Sequence, residues 1–105
     1  MLTIEQIKDH LNIDFDDART NKYLLSLAKV AERYLEGAIG KSFNKQDERA
    51  IQLALFYVED MFDRKSTTVK ENSTLTKLKN DFMLQLQVEE IAKNDVVIKW
   101  DLINL

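Results

Sequence analysis

With 105 residues, 45% of them hydrophobic, the chain has room for one domain around a single modest core. It holds no cysteine and one histidine, which excludes disulfide staples, thiolate catalysis, cysteine-bound zinc and a multi-histidine metal site within one chain. A net charge of −3, with acid concentrated early and no basic stripe along the sequence, argues against a general nucleic-acid binder, and no run reaches the roughly 18–20 apolar residues of a membrane span.

The start, Met1-Leu2-Thr3-Ile4-Glu5-Gln6, lacks a basic segment followed by an apolar one, so no export signal is expected and use in the cytoplasm is favoured. Thr3-x-x-Gln6 has the form of a capping box, and Ile4, Ile7 and Leu11 recur at helical spacing, which predicts a short first helix ending around Asn12. Ile13-Asp14-Phe15-Asp16-Asp17 reads as a turn with two apolar side chains to pin it to the core. Asp16 or Asp17 caps the second helix, where a negative charge suits the helix N-terminus. That helix runs to about Ile39, with Leu24, Leu27, Ala28, Ala31, Leu35 and Ala38 on one stripe, and Gly40 stops it in the left-handed conformation.

Lys41–Gln46 reads as a loop anchored by Phe43, and a third helix is predicted from about Asp47 to Arg64. Ile51, Ala54, Leu55, Val58 and Phe62 face one way, while Leu53, Phe56, Tyr57 and Met61 widen the apolar arc well beyond one stripe. Such a helix is buried on several sides, either at the centre of a bundle or by an added subunit interface. Lys65–Asn72 is polar and reads as a loop, after which Ser73 caps a fourth helix carrying Leu75, Leu78, Phe82 and Leu86. The chain has no proline and only Gly37 and Gly40, so few positions break a helix.

The last segment differs in character. From Ile98, apolar Ile98, Trp100 and Leu102 alternate with Lys99 and Asp101, the period of a strand. One reading packs Trp100 and its neighbours back onto the chain's own core; the other makes Val96–Leu105 a tail that adds a strand to a partner's sheet or lies in a partner's groove. The fold class expected is therefore all-α, a small bundle of about four helices with an extended, strand-like C-terminal tail.

Little chemistry survives inspection. His10 sits between the Ile7–Leu11 stripe and the polar face and reads as an ordinary half-exposed histidine. Asp14, Asp16 and Asp17 fail the calcium-loop pattern, because Arg19 stands where the mid-loop glycine belongs and Leu25 where the closing glutamate belongs. Glu59, Asp60 and Asp63, beside Arg64 and Lys65, read as a solvated or salt-bridged face, with an intersubunit ion pair as the sharper alternative. No phosphate-binding glycine loop and no credible triad is present, and no cofactor is expected.

Three features occur in an order that resembles a known family. They are Lys8-Asp9-His10-Leu11-Asn12-Ile13-Asp14, the helix from Leu24 to Gly40, and an apolar helix from Ala50 closing on Phe62-Asp63-Arg64. Over residues 3–87 this resembles the small head-tail connector, or adaptor, proteins of long-tailed bacteriophages, which open with a K-x-H-L-x-I-D turn. The chain departs from that family at Asn12, where arginine is frequent, and lacks a proline before the third helix.

The resemblance implies a non-enzymatic ring subunit, usually in about twelve copies, docked beneath the portal protein at the head-tail interface of the virion and assembled in the host cytoplasm. Such a ring extends the DNA channel and offers a platform to a further connector or tail-completion protein. Contact with DNA is passing and not sequence-specific, and no membrane is involved. Repeated about twelve times, the charge of −3 gives a ring of about −36, which suits a lumen through which DNA slides.

On this reading residues 1–87 form the connector domain and 88–105 the docking tail, with Val96, Val97, Ile98, Trp100, Leu102, Ile103 and Leu105 meeting the portal. Phe56, Tyr57, Met61, Phe62, Glu59, Asp63 and Arg64 are the expected ring interface, the four apolar ones contributing to core or ring packing. The competing readings are a small phage or bacterial regulatory module that captures one protein through the same tail, and a small enzyme using Asp/Glu pairs.

Overall fold

The computed structural model describes residues 1–63 and 73–103, with side chains over 1–63 and 76–93. The backbone forms four helices: α1 (Ile4–Leu11), α2 (Ala18–Ile39), α3 (Glu48–Asp63) and α4 (Ser73–Ile103). The chain is all-α, a small helical bundle, and no strand occurs among the described residues. Arg64 and the expected loop Lys65–Asn72 lie outside the described residues.

Local chemistry sets the helix ends. Thr3 Oγ1 accepts from the Gln6 amide at 3.1 Å and Gln6 Oε1 accepts from the Thr3 amide at 2.9 Å, a complete capping box. Asn12 closes α1 at φ 58°, a left-handed position that asparagine tolerates better than most residues. Asp17 caps α2, accepting from the Thr20 amide at 3.2 Å. Gly40 ends α2 at φ 135° and ψ 147°, not in the left-handed helical region expected but in one essentially reserved for glycine.

The core lies among all four helices, with α3 at its centre. Ala50, Leu53, Ala54, Leu55, Phe56 and Val58 are all buried, so the wide apolar arc of α3 is consumed largely within the chain. Alpha-2 contributes Leu24, Ala28, Ala31, Leu35 and Ile39, with Ile39 rather than Ala38 completing the stripe. Ile7 from α1, Phe43 from the α2–α3 turn and Leu86 from α4 close the cluster. Small Ala50, Ala54, Ala28 and Ala31 leave room for α2 and α3 to approach closely.

One expectation is corrected: Ile13 packs against the core, but Phe15 is 56% exposed and lies outside the core cluster of the described residues. The strand-like reading from Ile98 falls where the backbone of α4 runs on to Ile103. No proline or glycine follows Gly40 to stop it, and an isolated strand would have left its backbone donors and acceptors without a ladder. The same residues also hold a helical period, with Val96, Trp100 and Ile103 at i, i+4 and i+7. Asn104 and Leu105 lie outside the described residues, as do the side chains of the other expected docking positions Val96, Val97, Ile98, Trp100, Leu102 and Ile103.

Leu53 is fully buried at the centre of α3, so Leu53→Ala should destabilise the fold by about 2–5 kcal/mol in urea unfolding. Gly40→Ala should cost upwards of about 1 kcal/mol by the same measurement, because the backbone is at positive φ and the new methyl would meet Glu90 Cγ at 3.3 Å.

Candidate functional site

Alpha-4 is fastened to the other helices by polar contacts around an apolar seam. Phe82, Met83 and Leu86 face the core. At one flank Arg49, near the start of α3, donates to Glu89 through Nη2 at 2.6 Å and Nη1 at 2.9 Å, and to Gln85 at 3.1 Å. The same guanidinium donates to Asp47 through Nε at 3.1 Å and Nη2 at 2.8 Å, so two carboxylates hold it in a fixed plane. Hydrogen bonds from Arg49 pull Asp47 and Glu89 below the ordinary carboxylate range, and the two acids push the guanidinium further above its own.

At the end of α2, Gln87 Nε2 donates to the Ala38 carbonyl at 2.9 Å, and Ser42 donates to the buried carboxylate of Glu90. Lys93 Nζ lies 3.5 Å from the same carboxylate. Toward the other end of α4, Lys79 Nζ donates to Asp60 at 2.9 Å and stands 5.7 Å from the centre of the Phe56 ring. Alpha-4 passes without interruption through residue 87, the expected end of the connector domain, and Glu90 beyond it is buried.

Alpha-1 is tied to α3 by the one histidine. His10 Nε2 lies 2.8 Å from Glu59 Oε2, and its ring meets Phe56 edge-on with centroids 5.8 Å apart. Sequence reasoning placed His10 on the margin of α1 and Glu59 on α3 but had no signal that they meet, since 49 residues separate them. Tyr57 packs edge-on against Tyr34 at 4.8 Å, and burial together with Tyr34 pushes its hydroxyl up to about 12.

The residues expected at a ring interface are thus brought together mostly inside the bundle. Phe56 is buried, and Tyr57, Met61 and Phe62 pack against the core from its edge. Glu59 holds His10, Asp63 is half-buried at the end of α3, and Arg64 lies outside the described residues. The large hydrophobic side chains left exposed among the described residues lie elsewhere: Leu78, Leu84, Val88 and Ile91 on α4, Leu25, Val30 and Tyr34 on α2, and Phe15 in the turn before it. No described helix is long and apolar enough to cross a membrane.

This order of a capped short helix, a long helix ended by glycine, and a central apolar helix coincides with a family match. The sequence fits the family model described as phage gp6-like head-tail connector protein over residues 1–100. The chain belongs to that family. Its role as a connector is a structural one at the junction of phage head and tail. Neither the curated proteins nor the solved structures gave a match.

The connector's acid response follows from the Arg49 site. Asp47 and Glu89 are held below their ordinary values of 3.8 and 4.5, so the unfolded chain takes up these protons first on acidification. The stabilisation is complete above those values and is lost as pH falls through the lowered ones. Urea midpoints taken from about pH 6 to 3 should therefore decline toward the acid end, and Arg49→Met should make that part of the decline shallower.

Proposed function

We propose that the chain is a non-catalytic subunit of a ring, of about twelve copies, that sits beneath the portal, extends the DNA channel and presents a platform to a further connector or the tail. The family match across residues 1–100 carries this reading. The bundle suits such a role: its core is closed by all four helices, and its polar contacts join helices to one another. DNA meets the ring only in passing through the lumen, and assembly takes place in the host cytoplasm.

The C-terminal segment, Val96 to Leu105, is the portal-docking segment in this proposal, with Trp100 as its anchor. The segment either adds a strand to a sheet of the portal or lays its apolar side chains in a portal groove. Residues 1–87 then form the body of the connector and 88–105 its docking end.

Solution mass of the chain mixed with its cognate portal, measured by light scattering, tests this directly. A stoichiometric complex is expected with the full chain, and none after deletion of residues 96–105. Trp100→Ala should weaken the complex by at least about tenfold while leaving far-UV circular dichroism unchanged. A small species indifferent to the portal would overturn the connector ring and favour a regulatory module that captures a different protein.

A further inference from the structure

Alpha-4 carries its apolar residues on two sides. Leu86, with Phe82 and Met83, faces the core. Leu84, Val88 and Ile91 recur at i, i+4 and i+7 on the opposite side, and each is more than half exposed. Together they present roughly 300 Å² of aliphatic surface in one row, comparable to the largest apolar patch of a typical monomer, which is often functional. Asp81, one turn before Leu84, is exposed and has no ion pair among the described residues. Lys77 lies two turns before Leu84, at the margin of the row.

A second surface has the complementary form. The start of the chain and α2 enclose a half-open groove of about 730 Å³, with Met1, Leu2 and Leu25 among the residues lining it and Lys22 and Lys29 on its rim. Along the outward side of α2, Arg19, Lys22, Lys29 and Arg33 follow one another at helical spacing, none in an ion pair among the described residues. The acids of this helix, Glu32 and Glu36, turn toward Lys45 at 3.4 and 3.0 Å. So a chain of net charge −3 gathers four cations on one helix face.

From these surfaces we infer that the Leu84–Val88–Ile91 row of one copy seats in the Met1–Leu2–Leu25 groove of the next, with Asp81 meeting Lys22 or Lys29. The occupant is a second copy of this chain, and the contact is heterologous. Two α2 faces brought together would set cation against cation, whereas α2 against α4 offers Asp81 to those cations and covers both apolar surfaces. The row extends about 10 Å along its helix, and the groove runs along α2 from Ala18 to Glu32, about 21 Å, so the ridge fits lengthwise. A contact of this kind repeats head to tail and closes into a ring when the rotation per copy divides a full turn. The inference rests on the ring reading above, and it places the ring contact on α2 and α4 rather than on α3.

The absence of cysteine makes the contact directly testable. Leu25→Cys and Val88→Cys are made singly and together, and a short bis-maleimide linker is applied to the free chain and to the chain bound to portal. The expected result is a mixed dimer when the two single variants are combined, a ladder of multimers from the double variant, and no product from either single variant alone. A ladder absent both free and on the portal overturns the contact, as does dimerisation of Val88→Cys by itself. Wild-type binding to the portal, run in parallel, separates the two readings, since the connector reading survives a missing ladder if that binding persists. Leu84→Asp combined with Ile91→Asp should abolish the ladder in the double-cysteine background with circular dichroism unchanged. Loss of portal binding in these variants while the ladder persists would assign the row to the portal and overturn the contact between copies.

Discussion

Burial of α3 is the constraint from which the rest of the arrangement follows. A sixteen-residue helix with apolar side chains over most of its circumference cannot remain at a surface, so other elements must surround it. Alpha-2 supplies the most extensive partner, and its alanines at 28 and 31 join the alanines at 50 and 54 in one continuous cluster. Alpha-1 and α4 cover what α2 leaves, through Ile7 on one side and Leu86 on the other. The ordering of charge follows from that geometry. Wherever a covering helix meets α3, an α3 edge residue is turned into a fastener: Glu59 for α1, Asp60 and Arg49 for α4.

The contrast between the two long helices matters for assembly. Alpha-2 buries one face and leaves the other basic, with its acids drawn off to Lys45. Alpha-4 buries a narrower seam and leaves aliphatic side chains in water. Leu84, Val88 and Ile91 stand exposed in one row rather than scattered singly. Within a family whose members join phage head to tail, such a surface is intelligible as one completed by other chains.

Much of the fold was legible in the sequence because its helix ends are specified by near neighbours. Thr3 with Gln6, Asp17 with Thr20, and Gly40 each act within three or four residues, the range over which a linear reading has force. The stripe of α2 and the broad arc of α3 were equally visible, and they located the core. What escaped was long-range or ambiguous. His10 and Glu59, or Arg49 and Glu89, meet only because of the fold. Phe15 reads as an anchor from composition alone, yet the turn carries it outward. Ile98, Trp100 and Leu102 keep a two-residue period while Val96, Trp100 and Ile103 keep a helical one, so the sequence of the tail is ambiguous on its own. The α3 surface expected to meet a neighbour was read correctly as apolar, but periodicity does not say whose core it fills.

The buried carboxylate of Glu90 sets a limit on how the bundle comes apart. Alpha-4 is held by an apolar seam plus groups that water and ions compete for: Glu90 with Ser42, Glu89 with Arg49, Asp60 with Lys79. The α2–α3 pair is held by close-packed aliphatic contacts that salt does not weaken. The molecule therefore has two tiers of cohesion, and the helix carrying the outward aliphatic row belongs to the weaker one. In hydrogen exchange α4 amides should open by a sub-global route while α2 and α3 wait for complete unfolding. A joint built this way can adjust its outer helix to a neighbour without loosening the unit that keeps its shape.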